Sequence, residues 1–252
     1  MQNRYKITAN TASLLITILL LLNLSQSLAV EGKTDSSPDW FYPTWAAEAK
    51  YNKPIIVRDT DSALGRYSLK TKEISLKDLA RIHGHLCDGL VIAFVQIKAV
   101  LEKLFPDGVV DRTDLRAVSK NGPCWVDAVA MMTGVRINFQ TLRIDNSIGN
   151  GFIIQRIYTG EAYEVHLKQG AFPKDLAALE DKIRKLRSQG KLAAASEIDS
   201  VEKMANDLIL KLLTTPPAEL LDIKPLPRYK FSATDLFGDR GDIINKAMPR
   251  SK

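Results

Sequence analysis

Two short segments of the chain hold the side chains best suited to metal or thiol chemistry. The chain has three histidines and two cysteines, and one turn holds three of these five residues, His83, His85 and Cys87, just before Gly89. The second cysteine, Cys124, follows an Asn-Gly-Pro turn. Imidazole and thiolate are the ligands that zinc and neighbouring transition metals prefer. The two segments therefore indicate a metal or thiol site.

The residues around the first segment predict two helices. Ser75 starts a capping-box pattern, and the helix that follows ends near His83 because a glycine comes next. A second, largely buried helix begins near Asp88, which can cap it. Cys87 would then lie at a helix N-terminus, where the helix dipole lowers the pKa of a thiol. We expect the tight turn to point His83, His85 and Cys87 inward together.

Cys124 is predicted to occupy an equivalent position on a later helix, where its thiol pKa is lowered in the same way. A strand over 115–119 precedes this helix, which runs from Cys124 to Met132 and is closed by Gly134. Asp127 lies on the same face as Cys124. It either orients a ligand histidine or complements the helix dipole as a first-turn carboxylate, and the pattern favours neither role.

The later part of the chain changes from strand to helix patterns. Segments 152–158 and 162–167 flank Thr-Gly-Glu, which is typical of an antiparallel hairpin. His166 alternates with apolar neighbours in the second strand, which favours a place on the polar face. Two charged helices are predicted within 174–213, and a final extended segment within 220–231.

The N-terminal residues have the pattern of an export signal. Arg4 and Lys6 precede an apolar run, and Ser27-Leu28-Ala29 fits a small-x-small cleavage site. The apolar run is shorter than the roughly 20 residues of a membrane-spanning helix, which favours cleavage over retention as an anchor. We expect an exported protein, periplasmic or secreted, with no stable membrane span after cleavage.

The charge pattern argues against a nucleic-acid partner. The formal net charge is +6, but basic and acidic residues are mixed along the chain and no basic run is interleaved with aromatic side chains. The sequence also lacks a Walker loop and the His-Glu-x-x-His, Gly-x-Ser-x-Gly and Cys-x-x-Cys-His patterns. The two His/Cys segments therefore remain the main chemical signal.

Two alternatives to a metal site remain open. Oxidising compartments favour disulfides, so Cys87 and Cys124 could form a structural bridge in a non-catalytic module, although the adjacent histidines favour a metal. Cys87 could also act as a nucleophile with His85 as its base. Residues only two apart must adopt a strained turn to meet, which argues against that arrangement.

Taken together, the two segments resemble the FmdE-like family of formylmethanofuran dehydrogenase subunits. The resemblance lies in two runs, His83-Gly84-His85-Leu86-Cys87-x-Gly89 before an apolar helix and Cys124-Trp125-Val126-Asp127-Ala128. It implies an α+β fold with an antiparallel sheet, helices packed beside it and a C-terminal helical segment. It also implies a bound divalent transition metal, most often zinc, and often a homodimer.

The resemblance assigns the ligands by position. His85, Cys87 and Cys124 match the motif's ligands, and His83 matches its first histidine. Three protein ligands would leave a position for water or a small-molecule ligand, whereas four would suit a structural or sensing role. Asp88 stands where the family usually has proline, and could supply a further oxygen near the metal.

Five parts of the chain follow from these patterns. We expect a signal peptide over 1–29, a leader over 30–74, the metal-binding domain over 75–172, its helical extension over 173–231 and a loose tail over 232–252. We expect no Cys-rich zinc ribbon of the kind with which some family members end, because no cysteine follows Cys124 in this sequence.

Overall fold

The fold is described from a computed structural model, which covers residues 39–62, 64–233 and 246. The predicted signal peptide and most of the predicted tail lie outside the described residues. Residues 41–252 belong to one compact unit, and of the other unit only Asp39 and the exposed Trp40 are described. Within the described ranges, no helix is both long and apolar enough to cross a membrane.

The helices and strands follow one another in a mixed order. They are α1 (Thr44–Ala47), β1 (Ile55–Arg58), β2 (Lys72–Ile74), α2 (Leu76–His83), α3 (Asp88–Leu104), β3 (Val109–Asp111), β4 (Leu115–Ser119), α4 (Pro123–Thr133), β5 (Leu142–Ile144), a 3-10 turn (Asn146–Ile148), β6 (Phe152–Arg156), β7 (Ala162–Leu167), α5 (Lys174–Ser188), α6 (Ala195–Thr214), α7 (Pro217–Leu220) and β8 (Leu221–Pro225).

These elements form an α+β fold with two sheets. The larger sheet has the order β5-β4-β6-β7-β8, and its pairs are antiparallel except for the parallel pair β4–β5. The predicted antiparallel sheet with packed helices is confirmed. A smaller sheet, β2-β1-β3, contains the parallel pair β1–β3 and was not predicted. Its strands have three or four residues, too few to show a period of two.

The predicted leader over 30–74 does not stand apart from the domain that follows. β1 and β2 come from it, and β1 pairs with β3. Tyr42 and Ala46 are part of the hydrophobic core. Strand pairing thus joins the segment before Ser75 to elements that follow it, and the division at Ser75 stays a prediction.

Helix α3 is the centre of the core. It is buried on almost all sides, as its nearly continuous apolar sequence predicts, and it packs against α4, α6, β6 and β7. Fully buried side chains such as Phe94 and Leu101 each contribute about 1.5–3 kcal/mol through removal from water. The start of α3, at Cys87, is therefore held firmly beside the start of α4.

Helix α2 is the element that carries His83. The Ser75 hydroxyl accepts a hydrogen bond from the Asp78 backbone N–H, and the Asp78 carboxylate accepts one from the Ser75 N–H, which confirms the predicted capping box. Gly84 ends the helix with φ 102°, a left-handed conformation that favours glycine. His83 is thus the last residue of a helix fixed at both ends.

We expect Ser75→Ala to lower the free energy of unfolding by about 1 kcal/mol, because α2 loses its N-terminal hydrogen-bond acceptor. Urea denaturation would measure this loss. Ser200→Ala is the matched control, since Ser200 is exposed and bonds the Ser196 carbonyl within α6. Its effect should stay within about 0.5 kcal/mol. Equal losses in the two variants would contradict a capping role for Ser75.

Candidate metal centre

Three side chains from three helices converge beside the N-termini of α3 and α4. His83 Nε2 lies 3.7 Å from the Sγ atoms of both Cys87 and Cys124, and the two sulfurs are 3.6 Å apart. His83 ends α2, Cys87 is the N-cap of α3, and Cys124 lies in the first turn of α4. The His83 side chain is only 5% exposed. The cluster is thus built from residues that are fixed by the packing of the helices.

The separations within the cluster fit a tetrahedral zinc site. With Zn–S bonds of about 2.3 Å and a Zn–N bond of about 2.0–2.1 Å, tetrahedral angles place two sulfurs about 3.8 Å apart and a sulfur and a nitrogen about 3.6 Å apart. The observed separations are 3.6 Å between the sulfurs and 3.7 Å between each sulfur and the nitrogen. The three side chains could therefore hold a transition-metal ion.

The two cysteines are free thiols in this structure. Their sulfurs are 3.6 Å apart, whereas a disulfide bond is about 2.0 Å long. The separation instead corresponds to two ligands on neighbouring positions of one ion.

Asp127 contacts the histidine of the cluster. Its Oδ2 lies 2.8 Å from His83 Nδ1. An ionised carboxylate only accepts hydrogen bonds, so His83 donates to it from Nδ1, and Nε2 is the ring nitrogen that faces the two sulfurs. Of the two roles open for Asp127, this contact matches that of a carboxylate that orients a ligand histidine.

His85 lies at the solvent-facing edge of the cluster. Its side chain is exposed, and its ring centroid is 4.9 Å from that of His83. Its nearest ligand atom and those of His83 and Cys87 lie within 4.8 Å of one another. The structure differs here from the expected inward turn, because the chain leaves the core after the left-handed Gly84.

The two thiols differ in acidity. A hydrogen bond from the Cys87 thiol lowers the pKa of Cys124, and the nearby His83 lowers it further. The same contact, together with burial, raises the pKa of Cys87 well above its usual value. For Cys87, the hydrogen bond with Cys124 and the burial of the thiol thus oppose the lowering expected from the helix dipole. A divalent cation between the sulfurs would offset the repulsion between two thiolates.

Gly89 allows the two helix N-termini to approach each other. A Cβ atom at this position would lie 3.0 Å from Cys124 Sγ and 3.2 Å from Trp125 Cζ3. Both separations are shorter than ordinary van der Waals contact. A side chain at Gly89 would therefore need Cys124 or Trp125 to shift by a few tenths of an ångström.

Two further residues considered from the sequence lie outside the cluster. Asp88 is the first residue of α3 and not its cap, and no hydrogen bond joins it to the cluster within the described residues. Burial raises the pKa of Asp88. His166 in β7 pairs with Glu164, with 2.8 Å between Nε2 and Oε1.

Sequence reasoning missed Lys120, which lies next to the second motif. Its Nζ is 3.6 Å from the centroid of the Trp125 ring and 2.5 Å from Asn150 Oδ1. The sequence feature that could have pointed to Lys120 is its position directly before the Asn-Gly-Pro turn that leads to Cys124.

The comparisons with known proteins bear on the same two segments. A family model described as "FmdE, Molybdenum formylmethanofuran dehydrogenase operon" matches residues 82–222. The chain belongs to the FmdE family. The matched range contains both His/Cys segments and the whole larger sheet up to the start of β8, so membership agrees with the resemblance found in the motifs.

One solved structure is a distant FmdE-like protein. It is described as a tungsten formylmethanofuran dehydrogenase FmdE-like protein from Syntrophus aciditrophicus. The identity is 16%, the match covers 61% of this chain and 72% of that chain, and the TM-score is 0.37. No curated protein matches the chain.

We expect Gly89→Ala to weaken Zn²⁺ binding roughly ten-fold, because its new methyl group displaces Cys124 Sγ from the cluster. The free energy of unfolding of the metal-free protein should not fall in parallel, since alanine favours a helix over glycine by up to about 1 kcal/mol. Chelator competition and urea denaturation would measure the two quantities.

Gly122→Ala is the matched control for this substitution. A Cβ atom at Gly122 would lie 3.4 Å from Lys120 Cε and 3.7 Å from Trp125 Cε3, which is close to ordinary contact. Its Zn²⁺ affinity should stay near that of the wild type. Equal weakening in both variants would show that Gly89 has no special role.

Proposed function

We propose that this chain is an exported FmdE-family protein that binds zinc through His83, Cys87 and Cys124. The single observation that carries the proposal is the convergence of one nitrogen and two sulfurs at 3.6–3.7 Å. Those separations match tetrahedral zinc, and the donors are those that a borderline-soft ion prefers. Nickel, copper and iron accept the same donors, so the metal content must be measured directly.

The proposal includes an open position on the metal. The ligand atoms of three side chains lie 3.6–3.7 Å apart, whereas His85 is exposed and its ligand atom lies within 4.8 Å of those of His83 and Cys87. Zinc sites with three protein ligands keep a fourth position for water or a substrate. A bound zinc ion would act there as a Lewis acid on an oxygen ligand. Asp127 would hold the His83 ring in place for coordination.

The exported location and a homodimer are further parts of the proposal. Export is supported by the sequence alone, through the signal-like residues before Val30. N-terminal sequencing of the mature protein would test it, and a start near Val30 is the expected result. The homodimer is supported by the family resemblance, and sedimentation equilibrium of the mature chain would test it.

The central test is the metal content of protein purified without chelator. We expect one zinc per chain by elemental analysis in the wild type and a large loss in Cys87→Ser and in His83→Ala, because each removes a ligand. His166→Ala is the control, since His166 pairs with Glu164 away from the cluster, and it should keep its zinc. Wild-type protein without metal, or equal zinc in all variants, would refute the site.

A second test concerns the carboxylate behind the histidine. We expect Asp127→Asn to weaken Zn²⁺ binding about 10–100-fold, because His83 loses the acceptor that fixes its tautomer and ring orientation. Glu164→Gln is a matched control, since it alters a His–carboxylate pair of the same 2.8 Å separation at His166. Chelator competition gives the affinities. An unchanged affinity in Asp127→Asn would contradict the orienting role.

The role of His85 can be tested in the same assay. Because His85 lies at the exposed edge, we expect His85→Ala to keep zinc with less than about a ten-fold loss of affinity, well below the loss in His83→Ala. A loss in His85→Ala as large as that in His83→Ala would instead indicate four protein ligands and no open position.

A further inference from the structure

We propose that Cys87 and Cys124 form a reversible disulfide by exchange with a small-molecule disulfide, and that this bond and the metal ion compete for the same two sulfurs. The exchange rests on the proposed metal-binding function and adds a chemical modification that regulates it. Three observations support it: the separation of the two sulfurs, the partial exposure of both cysteines, and the number of cysteines in the chain.

The two sulfurs are close to bonding distance. Their separation of 3.6 Å exceeds the length of a disulfide bond by about 1.6 Å, so each sulfur must move by roughly 0.8 Å. Cys87 is the residue better placed to adjust. It is the N-cap of α3 and has an extended backbone, and the exposed Gly84 and His85 precede it in the turn after α2.

Both cysteines are partly exposed. Each lies at the N-terminal end of a helix, and each is preceded by exposed residues, His85 in the first segment and Asn121 and Pro123 in the second. A thiol must be accessible to exchange with a disulfide from solution. The pair therefore differs from a disulfide closed inside a core, which no small reagent reaches.

The exchange has a single intramolecular product. Cys87 and Cys124 are the two cysteines of the chain, so one connectivity is possible and no other thiol of the same chain interferes. The packing of α3 against α4 keeps the two sulfurs beside each other. Once one sulfur has reacted, attack by the other is intramolecular and is favoured over reaction with a second molecule of reagent.

The reaction has two steps. The thiolate of one cysteine attacks a sulfur of the external disulfide, whose bond breaks, and a mixed disulfide forms while one small thiolate leaves. The thiolate of the other cysteine then attacks the protein sulfur of the mixed disulfide and releases the second small thiolate. The two protein sulfurs lose two electrons, the external disulfide gains them, and the two protons of the cysteine thiols end on the released thiols.

The disulfide and a metal ion exclude each other. The thiolate is the form of cysteine that binds metal, and a disulfide contains none, so His83 is the sole remaining member of the proposed ligand set. Zinc therefore stabilises the reduced pair. By mass action, each ten-fold rise in free zinc above its dissociation constant favours reduction ten-fold, which raises the midpoint potential of this two-electron couple by about 30 mV.

Glutathione redox buffers test the exchange in the purified mature protein. Metal-free protein is equilibrated at constant pH over a series of ratios of oxidised to reduced glutathione, quenched with acid, and analysed by intact mass and thiol content. We expect a species that lacks two hydrogen atoms and both free thiols, and that reduced glutathione or dithiothreitol converts back. In zinc buffers, the midpoint potential should rise by about 30 mV for each ten-fold rise in free zinc.

Three variants serve as controls. His83→Ala keeps both sulfurs and should form the disulfide without zinc, but its potential should respond to zinc only at much higher concentrations, because one ligand is lost. His166→Ala should respond to zinc as the wild type does, since His166 pairs with Glu164. Cys124→Ser should stop at the mixed disulfide between glutathione and Cys87.

The outcomes separate the exchange from the metal site itself. Zinc-binding protein that forms no internal disulfide when metal-free, or forms one that neither reductant opens, would overturn the exchange and leave the metal site standing. Equal zinc responses in the wild type and in His83→Ala would overturn the competition at this cluster. Wild-type protein that binds no zinc and whose potential does not respond to zinc would refute the metal site and the competition together.

Discussion

The close packing of the N-terminus of α3 against that of α4 is the constraint on which the rest of the structure depends. Gly89 eases this approach, because a Cβ atom there would lie 3.0 Å from Cys124 Sγ and 3.2 Å from Trp125 Cζ3, closer than ordinary contact. The packing places the Sγ atoms of Cys87 and Cys124, which are far apart in sequence, 3.6 Å from each other. Helix α2 contributes His83 to the same cluster. The buried body of α3 fixes this arrangement, so the geometry of the cluster is a consequence of core packing.

The sequence predicts the helices and strands that carry this site better than the tertiary contacts between their side chains. The N-terminal end of α2 and the C-terminal end of α4 follow from local signals at Ser75 and Gly134, and the β6–β7 hairpin of the larger sheet follows from its alternation. The exposure of His85 could not be predicted, because it depends on how the chain leaves a left-handed glycine. The small sheet and the contact between Lys120 and Trp125 depend on tertiary contacts, and no local periodicity encodes them.

The electrostatics of the cluster explain why its donors suit a cation. The two thiols differ in how readily they ionise. The Cys87 thiol stabilises the Cys124 thiolate and lowers the pKa of Cys124, and the same contact raises the pKa of Cys87. Asp127 accepts a hydrogen bond from His83 Nδ1, so that Nε2 is the ring nitrogen on the side of the two sulfurs. The site thus brings two sulfurs and one ring nitrogen together in a half-buried space, and this donor set suits a transition-metal cation.

Because the three ligands come from three separate helices, a bound metal ion would stabilise the folded protein. An unfolded chain cannot present His83, Cys87 and Cys124 together, so an ion that binds the cluster binds the folded state almost exclusively. By mass action, free metal at about a thousand times its dissociation constant would add roughly 4 kcal/mol to the free energy of unfolding. The ion would act as a cross-link between α2, α3 and α4, and the thermal stability of the domain would become a measure of its metal occupancy.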